Sequence, residues 1–92
     1  MVTWDESKRQ ANIRQHGLDF VGCEAVFDYP VVTREDDRQA YGEQRTNLIG
    51  WLNGQIVHLT YTERGDALRV ISLRQATIHE ARYYQKTISN QF

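Results

Sequence analysis

One cysteine, one proline and one methionine are all that 92 residues contain of those types. The single thiol, Cys23, closes no internal disulfide, and without further cysteines there is no Cys/His framework for zinc. No apolar run is long enough to span a bilayer and no signal-peptide pattern stands at the start, so the chain is expected in the cytoplasm, away from membranes. No cofactor motif, internal repeat or low-complexity segment is found. An excess of one charge is missing too: the net charge is −1, which excludes a basic footprint for nucleic acid at the level of the whole chain. The charge is nonetheless uneven, with residues 64–92 at net +3 and the three preceding blocks, 1–27, 28–45 and 46–63, at −1, −2 and −1. What is present is 40% hydrophobic and 25% charged. That is the composition of an ordinary globular domain, with one core close to the size at which burial is marginal.

The most patterned stretch runs from Asn47 to Ala76. Asn53-Gly54 separates two apolar runs, Leu48–Leu52 and Ile56–Leu59, and is a strong hairpin signal because both residues tolerate positive φ. Gly65-Asp66 repeats the signal before Leu68–Ile71. Two-residue loops at both places set Leu48 opposite Leu59 and Tyr61 opposite Val70. One face of the three strands then carries Leu48, Leu52, Val57, Leu59, Tyr61, Leu68 and Val70. The other carries Ile49, Trp51, Ile56, Ile71 and Leu73 with His58 at one end, and Arg45, Asn47, Thr60, Thr62, Arg64 and Arg69 at the other. That second face reads as a working surface or as ordinary solvated strand ends.

Around this sheet, Val2-Thr3-Trp4 is a short strand candidate. Asp5 caps a helix over Glu6–His16 that Gly17 stops, with Ala11 and Ile13 as its apolar positions. Lys8, Asn12 and His16 recur every four residues on one face of it, either as a solvated stripe or as a cation, an amide and an imidazole in a row. A second helix over Phe20–Phe27, with Asp19 as cap and Leu18 as staple, places Phe20, Cys23, Val26 and Phe27 towards the core; Cys23 is then a buried small hydrophobe rather than a nucleophile. Val31-Val32-Thr33 reads as a strand and residues 34–44 as a polar loop. The acidic trio Glu35, Asp36 and Asp37 lacks calcium-loop spacing. Thr77 and Glu80 form a capping box for a last helix reaching Asn90, with Ile78, Ala81, Tyr84 and Ile88 as its apolar positions. It is expected on the second sheet face, near Trp51 and Ile56.

Trp4-Asp5, Lys8, Asn12, His16-Gly17 and Phe20, followed by Ala25-x-Phe27-Asp28, Glu43-x-Arg45, Ile49-Gly50, Tyr61-Thr-Glu-Arg-Gly65 and Arg69-x-Ile-Ser-x-Arg74-x-Ala-Thr77 with Glu80, resemble the BrnT toxins in order and spacing. The resemblance covers almost the whole chain, so residues 1–92 are expected to form a single BrnT-like toxin domain. It implies an α+β fold similar to RelE toxins: a small antiparallel sheet, two N-terminal helices on one face and a C-terminal helix. It further implies a ribonuclease of a type II toxin–antitoxin pair, with no cofactor and no metal. The implied partners are RNA as substrate and a BrnA-like antitoxin, with DNA met only through that antitoxin. Where the family often opens its last helix with arginines, this sequence has Ile78, His79 and Ala81, and Gln15 replaces a basic residue before His16.

Metal-free RNA cleavage needs a base for the 2′-OH, a cation for the charge building on phosphorus and an acid for the leaving 5′-oxygen. Arginine suits the middle role because its planar fork meets two phosphate oxygens and keeps its charge. The expected catalytic set is Arg64, Glu63, Arg69, Arg74 and His16, and the expected substrate-binding set is Lys8, Arg45, Arg82 and Tyr83. The register puts Arg45, Arg64 and Arg69 on one side and Arg74 on the other. Base and acid stay open among Glu63, His16, Lys8 and Tyr83, and Glu63 fits an ion-pair role equally well. His58 reads as a satisfied structural histidine, and Trp4 and Trp51 as buried against helices. A second function class is a non-catalytic, toxin-like module that captures the antitoxin and tunes repression of its operon, and a third, for which the sequence offers no cofactor motif, is a small-ligand or peptide-binding α+β domain.

Overall fold

A computed structural model describes residues 1–36 and 42–91. Its order is β1 (Val2–Trp4), α1 (Glu6–His16), a 3₁₀ segment (Cys23–Asp28), β2 (Val32–Asp36), β3 (Arg45–Leu52), β4 (Gln55–Arg64), β5 (Ala67–Gln75) and α2 (Ile78–Gln91). The strands form one sheet in the order β1-β5-β4-β3-β2. β2 to β5 are antiparallel neighbours, but β1 lies parallel to β5, with Thr3 opposite Arg69. The α+β class therefore holds while the all-antiparallel sheet does not. A strand that leads straight into a helix can rejoin the sheet on a distant edge in the parallel sense.

Both hairpins have the two-residue loops their sequences call for. Asn53 and Gly54 take φ of 51° and 85°, whereas at the second loop only Gly65 is positive, at 59°. Leu48 does face Leu59, and Tyr61 faces Val70. Beyond that point the ladder shifts: Thr60 pairs with Ser72 while Tyr61 pairs with Val70, leaving Ile71 as an extra residue on β5. This bulge inverts the facing of everything after it. Leu73, expected beside His58, is instead buried opposite Leu59. Arg74, expected on the far side from the other arginines, pairs with His58 on the face that carries Arg69.

The core face is closed by Phe20, Cys23 and Val26, which pack with Leu48, Val57, Leu59, Val70 and Leu73, and Trp4 meets Phe20 edge-on. Gly50 makes this contact close: a Cβ there would stand 2.8 Å from Val26 Cγ2. The segment carrying Phe20 is not the α-helix expected over Phe20–Phe27. Asp19 accepts from the Val21 N–H and caps a turn, but Gly22 then enters the left-handed region at φ 84°, so only a 3₁₀ turn follows. Phe27, off its expected face, is exposed.

α1 keeps its expected bounds, capped by Asp5 and ended by Gly17 at φ 73°. Ala11 is exposed, and the helix is anchored to β5 by buried Asn12. β1 stops at Trp4 opposite Val70, so among the described residues the edge of β5 away from β4 has no strand beside it further on. There the Asn12 amide stands in for one, accepting from the Leu73 N–H at 3.0 Å and donating to the Leu73 carbonyl at 2.8 Å. α2 lies on the opposite face, across β2, β3 and β4. It opens with the Thr77–Glu80 capping box, at 3.1 and 2.9 Å, and is pinned by buried Tyr84, whose hydroxyl donates to the Pro30 carbonyl at 2.7 Å. Ile78, expected inward, is exposed.

Candidate functional site

On the α2 face, adjacent strands put their side chains in rows. Val32, Ile49, His58 and Arg74 form one, Arg34, Asn47, Thr60 and Ser72 the next, and Asp36, Arg45, Thr62 and Arg69 the third. α2 crosses the first row and leaves the second open. A cleft of about 350 Å³ lies between helix and sheet, floored by Val32, Ile49, Asn47 and His58 and walled by His79 and Tyr83. His79, Tyr83 and Lys86 follow at i, i+4 and i+7 along one side of α2, and exposed Arg82 flanks them.

Arg74 is held at the edge of this cleft. Its two terminal nitrogens donate to the two oxygens of Glu80 at 2.8 and 3.0 Å, a fork-to-fork pair, and Glu80 Oε1 also accepts from the Thr77 N–H. Those bonds, Arg74 foremost, hold the Glu80 carboxyl down at about 2. His58 is sunk beside the pair. Burial, then the Arg74 charge, push its pKa below the usual imidazole value, so the ring is neutral at neutral pH and its 3.9 Å approach to Glu80 is no ion pair. Among the described residues its Nδ1 is buried without a hydrogen-bond partner, so the expectation of a fully satisfied histidine is corrected. At the rim, the Arg34 guanidinium stacks 5.8 Å from the centre of the Tyr83 ring.

Of the residues expected from sequence, this face brings together Arg45, Arg69, Arg74, Arg82 and Tyr83. Arg69 lies 4.0 Å from Asp5, at the foot of α1, and Arg45 lies 3.6 Å from Glu43. Glu63 and Arg64 are at the far tip of β4, in a separate hollow shared with Glu35 and Glu43, where Arg64 pairs with Glu43 at 3.2 Å. Three carboxylates against one guanidinium make that hollow acidic. His16 and Lys8 are exposed on α1, which packs against β5, whereas α2 packs across β2, β3 and β4. In the row Lys8–Asn12–His16 the middle member is a buried structural tie to Leu73, and the outer two are exposed.

Two contributors escaped the sequence reading. Arg34 was assigned to a loop, but Arg34, Glu35 and Asp36 continue β2; only their polar character hid a period-two strand. His79, which the sequence marks only as standing where the family often has an arginine, is a wall of the cleft. Asp37, the last of the acidic trio, lies outside the described residues. Trp51, expected to be buried, is 38% exposed.

A family model described as the ribonuclease toxin BrnT of type II toxin–antitoxin systems matches residues 4–80. The chain belongs to the BrnT family. No curated protein matches it. As a BrnT toxin it is a ribonuclease toxin of a type II pair, and an antitoxin partner comes with that membership. The matched span takes in β2 to β5 and only the last residue of β1, and it ends on Glu80, the residue that holds Arg74, so most of α2 lies beyond it. Among the described residues, no helix of this BrnT chain is long and apolar enough to cross a membrane.

Proposed function

We propose that this BrnT toxin is a metal-independent endoribonuclease of the cytoplasm. It cuts RNA by attack of a 2′-oxygen on the adjacent phosphorus, with loss of the 5′-oxygen and formation of a 2′,3′-cyclic phosphate. Destruction of RNA inhibits translation and growth, and a BrnA-like antitoxin, which alone brings the toxin to DNA, neutralises it. The observation that carries this reading is the α2 face itself. In a chain of net charge −1, it carries Arg34, Arg45, Arg69, Arg74, Arg82 and Lys86, with Arg34 lining a cleft walled by His79 and Tyr83. Arg74, aligned by Glu80, and Arg34 meet the scissile phosphate. His79 and Tyr83 exchange the two protons, one taken from the 2′-OH and one given to the 5′-oxygen. Arg45, Arg69 and Arg82 bind flanking phosphates.

Glu63, Arg64 and His16 belong to the other possible arrangement, centred on the tip of β4, and a pair of variants separates the two. Purified toxin free of antitoxin is incubated with end-labelled RNA in EDTA, beside Arg74→Ala and Arg64→Ala. Cyclic-phosphate ends from the parent, with roughly 10²-fold slower cleavage by Arg74→Ala and little change for Arg64→Ala, support the α2 face. The reverse order moves the site to the β4 tip. Two features favour a binding module instead: Arg74 is already neutralised by Glu80, and the family's helix-opening arginines are absent. An intact substrate together with tight capture of the antitoxin would establish that reading.

A further inference from the structure

We infer that the outer edge of β2, Val32–Asp36, seats a β-strand of the antitoxin, which extends the sheet beside the cleft and carries a carboxylate opposite Arg34 and a cation opposite Glu35. The choice of occupant rests on the toxin–antitoxin reading, while the surface and its charges belong to this chain.

The first observation is an open edge. β2 ends the sheet, and among the described residues no strand lies on its far side. Its ladder with β3 runs without a shift from Val32 opposite Ile49 to Asp36 opposite Arg45, and no proline interrupts it. Thr33, Arg34 and Glu35 are exposed. Alternate residues of such a strand turn their N–H and C=O groups outward, a template on which another chain can pair. The opposite edge, β1, is 3 residues long and offers much less.

The second observation is what the charges exclude and admit. Two copies of this chain pairing antiparallel through β2 about a twofold axis must match residues of the same face. A register centred on Arg34 sets the two guanidinium groups against each other, and one centred on Glu35 does the same to the two carboxylates; like charges directly opposite are destabilising. Centring on Thr33 avoids both, but it pairs only residues 32–34 and puts Arg34 across from Val32. The edge is thus guarded against its own kind, whereas a strand with the charges reversed gains at both positions. RNA has no peptide groups to continue the ladder, and its phosphates would meet Glu35.

The third observation is position. Val32, Thr33 and Arg34 all line the cleft, and Arg34 lies 5.8 Å from the centre of the Tyr83 ring. A strand added about 4.8 Å outside β2 runs along the rim of the cleft. Its carboxylate opposite Arg34 occupies the guanidinium that a phosphate would need, so the antitoxin neutralises the toxin from the rim.

The test uses the intact toxin and its purified BrnA-like antitoxin. Amide hydrogen exchange followed by NMR is expected to slow, on addition of antitoxin, by roughly tenfold or more at the amides of β2 that point away from β3. In binding isotherms, Arg34→Glu and Glu35→Lys are each expected to weaken the complex about tenfold, the factor for turning one attractive cross-strand pair into a repulsive one, and Arg82→Ala to leave it unchanged. An antitoxin drawn only by positive charge would bind Glu35→Lys more tightly, which would overturn the inference. So would a complex that leaves exchange in residues 32–36 as it was, or protection there that grows with toxin concentration alone and makes a second copy the occupant. If Arg34→Glu does not fold, Glu35→Lys and the exchange data decide. Failure of the parent to form any complex would sink the antitoxin reading together with this one; a complex that forms with β2 unprotected would sink this one alone. A toxin whose β2 is protected by antitoxin but which leaves RNA intact would sink the ribonuclease reading and keep this one.

Discussion

Asn12 shows how one side chain decides between structure and chemistry. In the sequence it belongs to a polar row with Lys8 and His16, and nothing in that spacing tells a ligand-facing amide from one that bonds the backbone. The deciding fact is non-local: β1 is too short to cover β5 past Val70, so Leu73 needs a partner, and Asn12 has a donor and an acceptor at the right separation. Removing the amide strands a buried N–H and a buried carbonyl. Asn12→Ala is therefore expected to lower unfolding free energy by about 2–4 kcal/mol, measured by urea denaturation, while leaving RNA affinity per folded molecule unchanged. His58 makes a second case. Its folded pKa is depressed, so as pH falls below the ordinary value of 6.5 the unfolded chain takes up a proton that the folded one refuses. Stability should decline from pH 6.5 downward, and His58→Gln should flatten that part of the profile in thermal melts. Glu80 adds a separate loss at lower pH, starting near its ordinary value of 4.5 and continuing towards 2.

At the scale of elements, turns and caps were readable because each is local chemistry. Asn53-Gly54, Asp5 with Gly17, and Thr77 with Glu80 all hold as the residues dictate. The register of the two hairpins was readable for the same reason. The bulge at Ile71 was not, since no residue in Arg69–Leu73 is a turn former; the shift follows from the core's demand for Leu73 opposite Leu59. One misread residue misassigned Arg74, and with it the heart of the candidate site. The Phe20–Phe27 stretch failed otherwise, its helical periodicity being cut by Gly22. That turn's contact with the sheet has no slack at Gly50, where a methyl group meets Val26, Val31 and Leu48 at 2.8 to 3.3 Å. Gly50→Ala is expected to cost about 1–3 kcal/mol, read as a lowered Tm, and substituting Val26→Ala in the same chain should recover part of the loss.

Over the whole molecule, a nearly neutral chain sorts its charges by face. The α2 side collects guanidinium groups, while the tip of β4 collects Glu35, Glu43 and Glu63. Neither the composition nor the net charge of −1 reveals this, because the sorting depends on which strands alternate in phase. RNA affinity should accordingly fall with salt despite the acidic pI. In a plot of log affinity against log salt, Arg34→Ala or Arg82→Ala should each make the slope shallower by about 0.7, and Arg64→Ala should leave it alone; filter binding over a salt series reads both. The parallel pairing of β1 with β5 has a further meaning in time. The strand synthesised first, whose Met1 carbonyl accepts from the Leu68 N–H, finds its neighbour only when most of the chain exists, and the cleft gains its second wall only with α2. The cleft is therefore assembled late along the chain: both of its walls exist only after the sheet has closed on its most distant pair of strands and α2 has folded across it.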